Sequence, residues 1–296
     1  MVDNRSDNEK YRIVDFEYDE KKFKRVDING KKYILVDHMQ GSKMLFGRYP
    51  FRGKYELYYG QIFYGAWEPL ITAFVKRIVK PNMKVGDVGV YLGYYSLLMS
   101  KLMDNTGEVH AFEPSLESLD DLMLDAEING YTNIIPEKMA ISNFDGVTDF
   151  DNDTFLLTND KESKTKESVK CCRFDSLGID FDFVKVDTDG FDGNVVDGAI
   201  QMIKRCGTVF LIEYFPQMWH RVGMKPSEFF HKLSISNLNC YILGLDLKMK
   251  DMNLDKLLKY PKVQHLSPEE ILCSPFPDIS LIISSKNAME IEKMLV

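Results

Sequence analysis

The chain alternates short apolar runs with amphipathic segments from residue 84 onward, and the connections between them are short. The apolar runs have the length of buried strands, and the segments between them carry apolar residues at helical spacing. Because parallel strands need a crossover helix, this alternation predicts an α/β fold with a doubly wound, mostly parallel sheet. Seven strands are predicted, at residues 85–90, 108–114, 133–141, 181–187, 208–215, 239–245 and 278–285.

The region before this pattern has a different character and is predicted to be a small β-containing extension, residues 1–65. Two short apolar runs flank Asn29-Gly30, which predicts a β-hairpin over residues 24–36. Residues 66–296 are predicted to form one domain. Within it, the polar stretch 159–168 is predicted to be a surface loop.

Composition excludes several classes of protein. No window of about 18 uninterrupted apolar residues occurs, and the first twenty residues are charged, so neither a membrane span nor a signal peptide is expected. A net charge of −8 argues against a protein that grips a nucleic acid backbone. The five cysteines form no Cys-x-x-Cys pair and are interpreted as reduced, which favours a cytoplasmic location.

Candidate binding residues lie where strands end, because ligands of open parallel sheets sit at the carboxyl ends of the strands. The first predicted strand ends in Asp87-x-Gly89-x-x-x-Gly93. Gly89 would permit a tight turn and Gly93 a close approach of the next helix to a ligand, and Asp87 could accept from a cationic amine. The alternative is a tight turn that binds nothing.

The second predicted strand ends at Glu113, twenty residues after Gly93. Nucleoside-binding βαβ units place the carboxylate that accepts the ribose hydroxyls at about this spacing. The dinucleotide fingerprint is missing, because Tyr91 and Tyr94 stand where it needs glycine. The pattern therefore favours a nucleoside with a cationic or amino-acid tail over a pyrophosphate.

The sequence resembles class I S-adenosylmethionine-dependent methyltransferases, and more closely the FkbM family, from about residue 65 to 285. The motifs that carry the resemblance are GAWEPLITAFVKRIVKPNMKVGDVGVYLGYYSL, VHAFEPSLESLDDLMLDAEINGYTNI, AISNFDG, CRFDSLGIDFDFVKVDTDGFDGNVVDGA and FLIEYFP. Three positions depart from the family pattern: Val90 replaces Ala, Tyr91 replaces Asn, and Asp189 replaces Glu in the Lys-x-Asp-x-Glu-Gly motif that begins at Lys185.

The resemblance implies a Rossmann-like methyltransferase fold with S-adenosylmethionine as cofactor. Asp87, Gly89 and Gly93 would line its methionine half, Glu113 would bind its ribose, and the end of the third strand its adenine. The full set of cofactor-binding residues that it implies is Trp67, Glu68, Asp87, Gly89, Val90, Tyr91, Gly93, Glu113, Pro114, Met139, Ala140 and Asp187. Trp67 could instead be a core aromatic, and Asp187 could instead cap the turn at Gly190.

The candidate catalytic residues are Asp187, Glu213 and His220, since transfer to a hydroxyl needs a group that accepts its proton. Glu213 could also bind the substrate or a metal, and a lone histidine such as His220 is more often structural or exposed. A divalent metal could be held by Asp187, Asp189, Asp192 and Glu213, but no metal is expected. An EF-hand is rejected, because Gly198 stands where its last ligand would be.

The sequence therefore predicts an S-adenosylmethionine-dependent methyltransferase that O-methylates a hydroxyl of a sugar, glycan or small secondary metabolite. A nucleic acid partner is not expected, since the Asn/Asp-Pro-Pro-Tyr/Phe motif is absent. The alternative is a non-catalytic binding or scaffold protein with the same fold, because the bulky Tyr91 could fill the methionine pocket. A nicotinamide dehydrogenase is disfavoured by the glycine spacing. Aromatic residues between Tyr49 and Tyr64 could stack on sugars or bury a homodimer interface, and the sequence leaves both open.

Overall fold

The computed structural model describes residues 23–28, 31–39, 41–46, 67–152, 156–158, 165–244, 262–265 and 279–295. Its strands are β1 Phe23–Ile28, β2 Lys31–Met39, β3 Ser42–Phe46, β4 Lys84–Val88, β5 Glu108–Phe112, β6 Ile134–Glu137, β7 Ala140–Ile141, β8 Gly146–Asp151, β9 Leu156–Thr158, β10 Lys166–Cys172, β11 Phe183–Val186, β12 Val209–Tyr214, β13 Asn239–Gly244, β14 Lys262–His265 and β15 Ile279–Ser284. Its helices are α1 Pro69–Ile78, α2 Tyr94–Leu102, α3 Leu116–Asn129, α4 Phe174–Leu177, α5 Asp192–Asp197, α6 Ile200–Cys206, α7 Pro216–Arg221, α8 Pro226–Ile235 and α9 Ala288–Met294.

The main sheet has the order β14-β13-β15-β12-β11-β4-β5-β6. Strands β12, β11, β4, β5 and β6 pair in parallel, whereas β15 is antiparallel to both β12 and β13. The predicted doubly wound, mostly parallel sheet of seven strands is confirmed. The short strand β14 joins its edge as an eighth, and its sequence, KVQH, has too few apolar residues to have been predicted as a strand.

Two hydrophobic cores lie on the two faces of this sheet, because successive strand residues point to opposite sides. On β11, Phe183 belongs to the core under α1, α2, α3 and α9, and its neighbour Val184 to the core under α4 to α8. The second core is rich in aromatic rings, among them Phe112 and Phe174, whose ring centroids lie 5.4 Å apart and meet edge to face. Helices on both faces complete the doubly wound architecture.

A second, four-stranded sheet with the order β7-β10-β8-β9 was not predicted. The predicted strand at residues 133–141 divides into β6 in the main sheet and β7 in this smaller one. Residues 166–168 of the predicted loop belong to β10, which pairs antiparallel with β8. Residues 159–164 of that loop lie outside the described residues.

The predicted N-terminal hairpin is confirmed by the antiparallel pairing of β1 with β2, although Asn29 and Gly30 themselves lie outside the described residues. Strand β3 extends it to a three-stranded meander that packs on α3. Met44 of β3 is 1% exposed and belongs to the first core of the main sheet. The predicted boundary at residue 65 stays a prediction, since residues 47–66 are not described.

Two side chains of α3 hold the meander through hydrogen bonds to the backbone of β3. The backbone N–H of Leu45 donates to Asp125 Oδ1 (2.8 Å), and that of Lys43 donates to Asn129 Oδ1 (2.7 Å). Asn129 Nδ2 donates in return to the carbonyl of Lys43 (2.7 Å).

No helix in the described part of the chain combines the length and apolarity that crossing a membrane requires.

Candidate active site

The strand order reverses between β4 and β11, and the crevice that ligands of this architecture occupy opens at their carboxyl ends. The N–H of Asp187 donates to the carbonyl of Val88 (2.9 Å), which joins the two chain segments just beyond the sheet. Gly89 adopts a φ of 81°, and a Cβ there would lie 1.8 Å from the carbonyl oxygen of Asp187. Only glycine fits this close approach.

A cavity of about 490 Å³ opens at this crevice. Eleven of the twelve predicted cofactor-binding residues line it: Trp67, Glu68, Asp87, Gly89, Val90, Tyr91, Glu113, Pro114, Met139, Ala140 and Asp187. The twelfth, Gly93, is buried where a Cβ would meet Leu122 of α3 at 2.6 Å. A side chain at this position would therefore collide with α3, and the predicted role of Gly93 toward a ligand stays a prediction.

Of the three candidate catalytic residues, Asp187 and Glu213 line the cavity and His220 does not. Glu213 is in β12, next to the strand that leads into Asp187. His220 lies on α7, a helix that the sequence did not predict, and is exposed. The structure therefore brings the two carboxylates together and places the imidazole outside the lining.

Glu113 is 5% exposed and lies at the end of β5. Its Oε2 accepts from the N–H of Tyr91 (3.1 Å), and its Oε1 accepts from the N–H of Ser115 (3.0 Å). Burial raises the pKa of this carboxyl, and the two backbone donors act in the opposite direction. Each carboxylate oxygen can accept more than one hydrogen bond, so both keep capacity for a ligand.

Asp87 is 1% exposed at the end of β4. Ser96 Oγ donates to its Oδ2 over 2.6 Å, whereas Oδ1 has no hydrogen-bond partner among the described residues. Burial raises the pKa of Asp87 to about 6, although the positive charge of Lys185 and the Ser96 hydrogen bond oppose this. A buried carboxylate oxygen without a partner is costly unless a ligand supplies one.

Lys185 is a functional candidate to which sequence analysis gave no role. It is 4% exposed in β11, and its Nζ lies 2.7 Å from Asp187 Oδ2 and 4.5 Å from the centroid of the Tyr95 ring. Burial lowers its pKa, but the negative charges of Asp187, Glu68 and Asp87 outweigh this and raise the pKa above its usual value. The signal in the sequence was a lysine inside an otherwise apolar strand.

Glu68 connects the start of α1 to the same group of side chains. Tyr95 Oη donates to its Oε2 over 2.9 Å. Glu68 occupies the N-cap position of α1, but its side chain makes no capping hydrogen bond and instead lines the cavity. The adjacent helix turn is held by Thr72, whose Oγ1 donates to the carbonyl of Trp67 (2.6 Å).

Backbone strain is concentrated at the cavity. Seven residues other than glycine have positive φ in the described part of the chain, and four of them are asparagine or aspartate in exposed turns, Asn82, Asp104, Asn105 and Asn237. The other three, Glu68 (φ 42°), Tyr91 (φ 47°) and Asp189 (φ 49°), all line the cavity. Glutamate and tyrosine rarely adopt this conformation, and such outliers cluster at ligand sites.

Asp192 performs the capping that sequence analysis considered for Asp187. Its Oδ1 accepts from the N–H of Thr188 (3.3 Å) and its Oδ2 from the N–H of Gly190 (3.2 Å). Burial, followed by the nearby charge of Asp187, raises the pKa of Asp192 to about 7.

Within the described residues, no group of three or more His, Cys, Asp and Glu side chains is arranged to hold a metal ion.

The small sheet contributes apolar side chains to the lining of the cavity. Met139, Ala140 and Ile141 at β7 line it together with Phe150 of β8 and Leu157 of β9. The sequence pattern predicts Met139 and Ala140 but not Phe150 and Leu157, because it indicates no sheet in this region. The cavity lining thus combines apolar side chains with carboxylates.

Fold and cavity together define a Rossmann-like methyltransferase fold with its ligand crevice at the carboxyl ends of β4, β5 and β11. The family described as the methyltransferase FkbM domain matches residues 87–237, which is more than half of the chain. The chain belongs to this family. No curated protein matches the sequence.

Three of the solved structures to which the chain is similar are described as methyltransferases. The methyltransferase FkbM from Methylobacillus flagellatus KT is 13% identical, with a TM-score of 0.42, over 68% of this chain and 43% of that one. An S-adenosylmethionine-dependent O-methyltransferase from Thermotoga maritima is 11% identical, with a TM-score of 0.43, over 89% and 78%. Precorrin-6y C5,15-methyltransferase from Geobacter metallireducens GS-15 is 13% identical, with a TM-score of 0.40, over 73% and 87%.

Proposed function

We propose that this protein is an S-adenosylmethionine-dependent O-methyltransferase that acts on a hydroxyl of a sugar, glycan or small secondary metabolite. One observation carries the proposal. Three carboxylates at the carboxyl ends of neighbouring parallel strands, Asp87, Glu113 and Asp187, line one cavity, and an oxygen of the buried Asp87 has no partner among the described residues. The four cysteines that the structure describes are free, and they support a cytoplasmic location as part of the same proposal.

The lining residues fit both the adenosine part and the amino-acid part of the cofactor. Glu113 would accept the ribose hydroxyls and Asp87 Oδ1 the ammonium group, which would satisfy its missing hydrogen bond. The apolar side chains Met139, Phe150 and Leu157 would enclose the adenine. When bound, S-adenosylmethionine supplies a methyl group on a positively charged sulfur.

The chain's own residues would then align the acceptor and take its proton. Asp187 is the proposed base, and the ion pair with Lys185 holds its Oδ2 in place, so that the carboxylate is oriented before the acceptor arrives. Glu213 on the adjacent strand lines the same cavity and is the proposed residue that binds a hydroxyl of the acceptor. His220 has no part in this proposal, since it does not line the cavity.

Titration calorimetry with S-adenosylmethionine tests the cofactor assignment. Glu113→Ala should weaken binding by about 1.5–3 kcal/mol, because hydrogen bonds to a charged acceptor are lost. The matched control is Glu117→Ala, which removes an exposed carboxylate from the first turn of α3 and should leave affinity unchanged. Equal affinity of both variants would mean that Glu113 does not hold the ribose.

Transfer of a radiolabelled methyl group to pools of hydroxylated compounds tests the reaction. Asp187→Asn should reduce transfer far more than it reduces cofactor affinity. Cofactor binding without transfer to any acceptor would instead favour the non-catalytic alternative. The observation that favours that alternative is Tyr91, a bulky ring in the cavity where the family has asparagine.

A further inference from the structure

The cavity carries a large excess of negative charge. Six carboxylates line it: Glu68, Asp87, Glu113, Asp187, Asp189 and Glu213. Lys185 is the one cationic side chain among the described lining residues. Its ammonium group is paired with Asp187 at 2.7 Å and also acts on Asp87 and Glu68, so a single positive charge is shared among several of these carboxylates.

Two of these carboxylates, Asp87 and Glu113, lie where water screens their charge poorly. Asp87 and Glu113 are 1% and 5% exposed, so their charges act through the protein interior rather than through solvent. Asp87 Oδ1 is buried and has no hydrogen-bond partner among the described residues, which is an independent sign that a ligand group belongs beside it. Interactions between charges in such surroundings are several times stronger than in bulk water.

We propose that the cavity distinguishes the two forms of its cofactor by charge and binds S-adenosylmethionine more tightly than S-adenosylhomocysteine. This inference rests on the proposed function. The two compounds share the adenosine, ammonium and carboxylate groups and differ by one methyl group and the positive charge on sulfur. The described lining of the cavity holds six carboxylates and one ammonium group, so the positive charge on sulfur should account for most of the difference in affinity between the two compounds.

The consequence concerns turnover. After transfer, S-adenosylhomocysteine no longer carries the positive charge that the carboxylates attract, so S-adenosylmethionine displaces it from the cavity. The site is thereby protected against inhibition by its own product. The same excess of carboxylates disfavours phosphorylated, sulfated or carboxylated acceptors and is compatible with neutral or amine-bearing ones.

Calorimetric titration of the full chain with three ligands tests the inference without an acceptor. The ligands are S-adenosylmethionine, S-adenosylhomocysteine and sinefungin, which carries an ammonium group near the position of the sulfonium. Both cationic ligands should bind at least about tenfold more tightly than S-adenosylhomocysteine. Equal affinity, or tighter binding of S-adenosylhomocysteine, overturns the inference and leaves the proposed function standing. If none of the three binds, the proposed function fails and the inference with it.

Charge-neutralising variants locate the origin of the preference. Glu213→Gln keeps the shape of the side chain and should reduce the preference for the cationic ligands by about threefold or more, while affinity for S-adenosylhomocysteine changes less than about twofold. Asp189→Asn is a second such variant, because asparagine accepts the left-handed backbone at this position. The control Glu228→Gln removes the same charge from the exposed surface of α8 and should leave the preference unchanged. A control that changes the preference as much as the cavity variants would contradict the local origin.

Discussion

Ser96 donates a hydrogen bond of 2.6 Å to one oxygen of the Asp87 carboxylate, and the other oxygen of that carboxylate is buried with no partner among the described residues. The hydroxyl fixes the orientation of the side chain and so directs the unsatisfied oxygen. Asp87 is therefore half satisfied by the fold and half available to a ligand. Such an arrangement makes stability and binding compete at a single residue.

Asp87→Asn is expected to stabilise the protein at neutral pH and to weaken cofactor binding. The pKa of Asp87 is 3.8 when unperturbed and about 6 in the folded protein. Between about pH 4 and pH 6 the folded state binds more protons than the unfolded state, so the free energy of unfolding falls as the pH rises. Asparagine does not titrate, so the free energy of unfolding of the variant should exceed that of the original protein by about 2–3 kcal/mol above pH 6 and should match it below pH 4. Urea unfolding from pH 4 to 8 measures it, and a gain independent of pH would refute the assignment.

Tyr91→Asn is expected to raise the free energy of unfolding by about 1 kcal/mol, because asparagine tolerates the left-handed backbone that strains tyrosine. The N–H of residue 91 that donates to Glu113 is kept in the variant. The control Tyr91→Phe keeps the strain and should show no gain in urea unfolding. If both variants stabilise the protein equally, the phenol hydroxyl rather than the backbone is the cause.

Gly89→Ala is expected to destabilise the protein by about 3 kcal/mol or more, because the new Cβ would force β4 and β11 apart. Gly130→Ala is the matched control. Gly130 also has a positive φ, of 69°, but no atom lies within 4 Å of a Cβ built there, so only the strain of about 1 kcal/mol is expected. Equal losses in thermal or urea unfolding would mean that crowding at Asp187 is unimportant.

Asp125→Ala is expected to loosen the N-terminal meander, because the N–H of Leu45 loses its acceptor. Leaving this buried donor unsatisfied should cost about 2 kcal/mol. Burial raises the pKa of Asp125 well above its usual value, so Asp125→Asn, which keeps an acceptor oxygen and removes a buried charge, should be close to neutral. Hydrogen exchange at Leu45 should accelerate in the alanine variant and not in the asparagine variant. Unchanged exchange in both would show that the bond contributes little.

The sequence was most informative where a residue's place followed from the pattern of strands. Glu113 and Asp187 could be placed at one edge of the sheet, because the carboxyl ends of parallel strands meet there whatever the details of packing. Gly93 shows the limit of that reasoning. Its spacing predicts a ligand contact, but the spacing could not show that Leu122 of α3 also leaves no room for a side chain there.

Other features depended on contacts that a linear pattern does not contain. Phe150 and Leu157 reach the cavity through a small sheet in which two of the strands, β7 and β9, are only two and three residues long. Lys185 was visible in a motif, yet its ion pair with Asp187 and its position over the Tyr95 ring are side-chain contacts that the motif does not specify. His220 had suitable chemistry, but α7 places it on the exposed side.

The hydrogen bonds between β3 and α3 bear on how the protein can be divided. Helix α3 begins three residues after Glu113, and the meander that it holds contributes Met44 to the core beneath the main sheet. Because the meander takes part in these bonds through the backbone groups of Lys43 and Leu45, a chimera that exchanges residues 23–46 for those of a relative would keep them, and only apolar contacts such as that of Met44 would change. An exchange of α3 would instead remove Asp125 and Asn129, so the helix that follows Glu113 is the element whose own side chains hold the N-terminal strands.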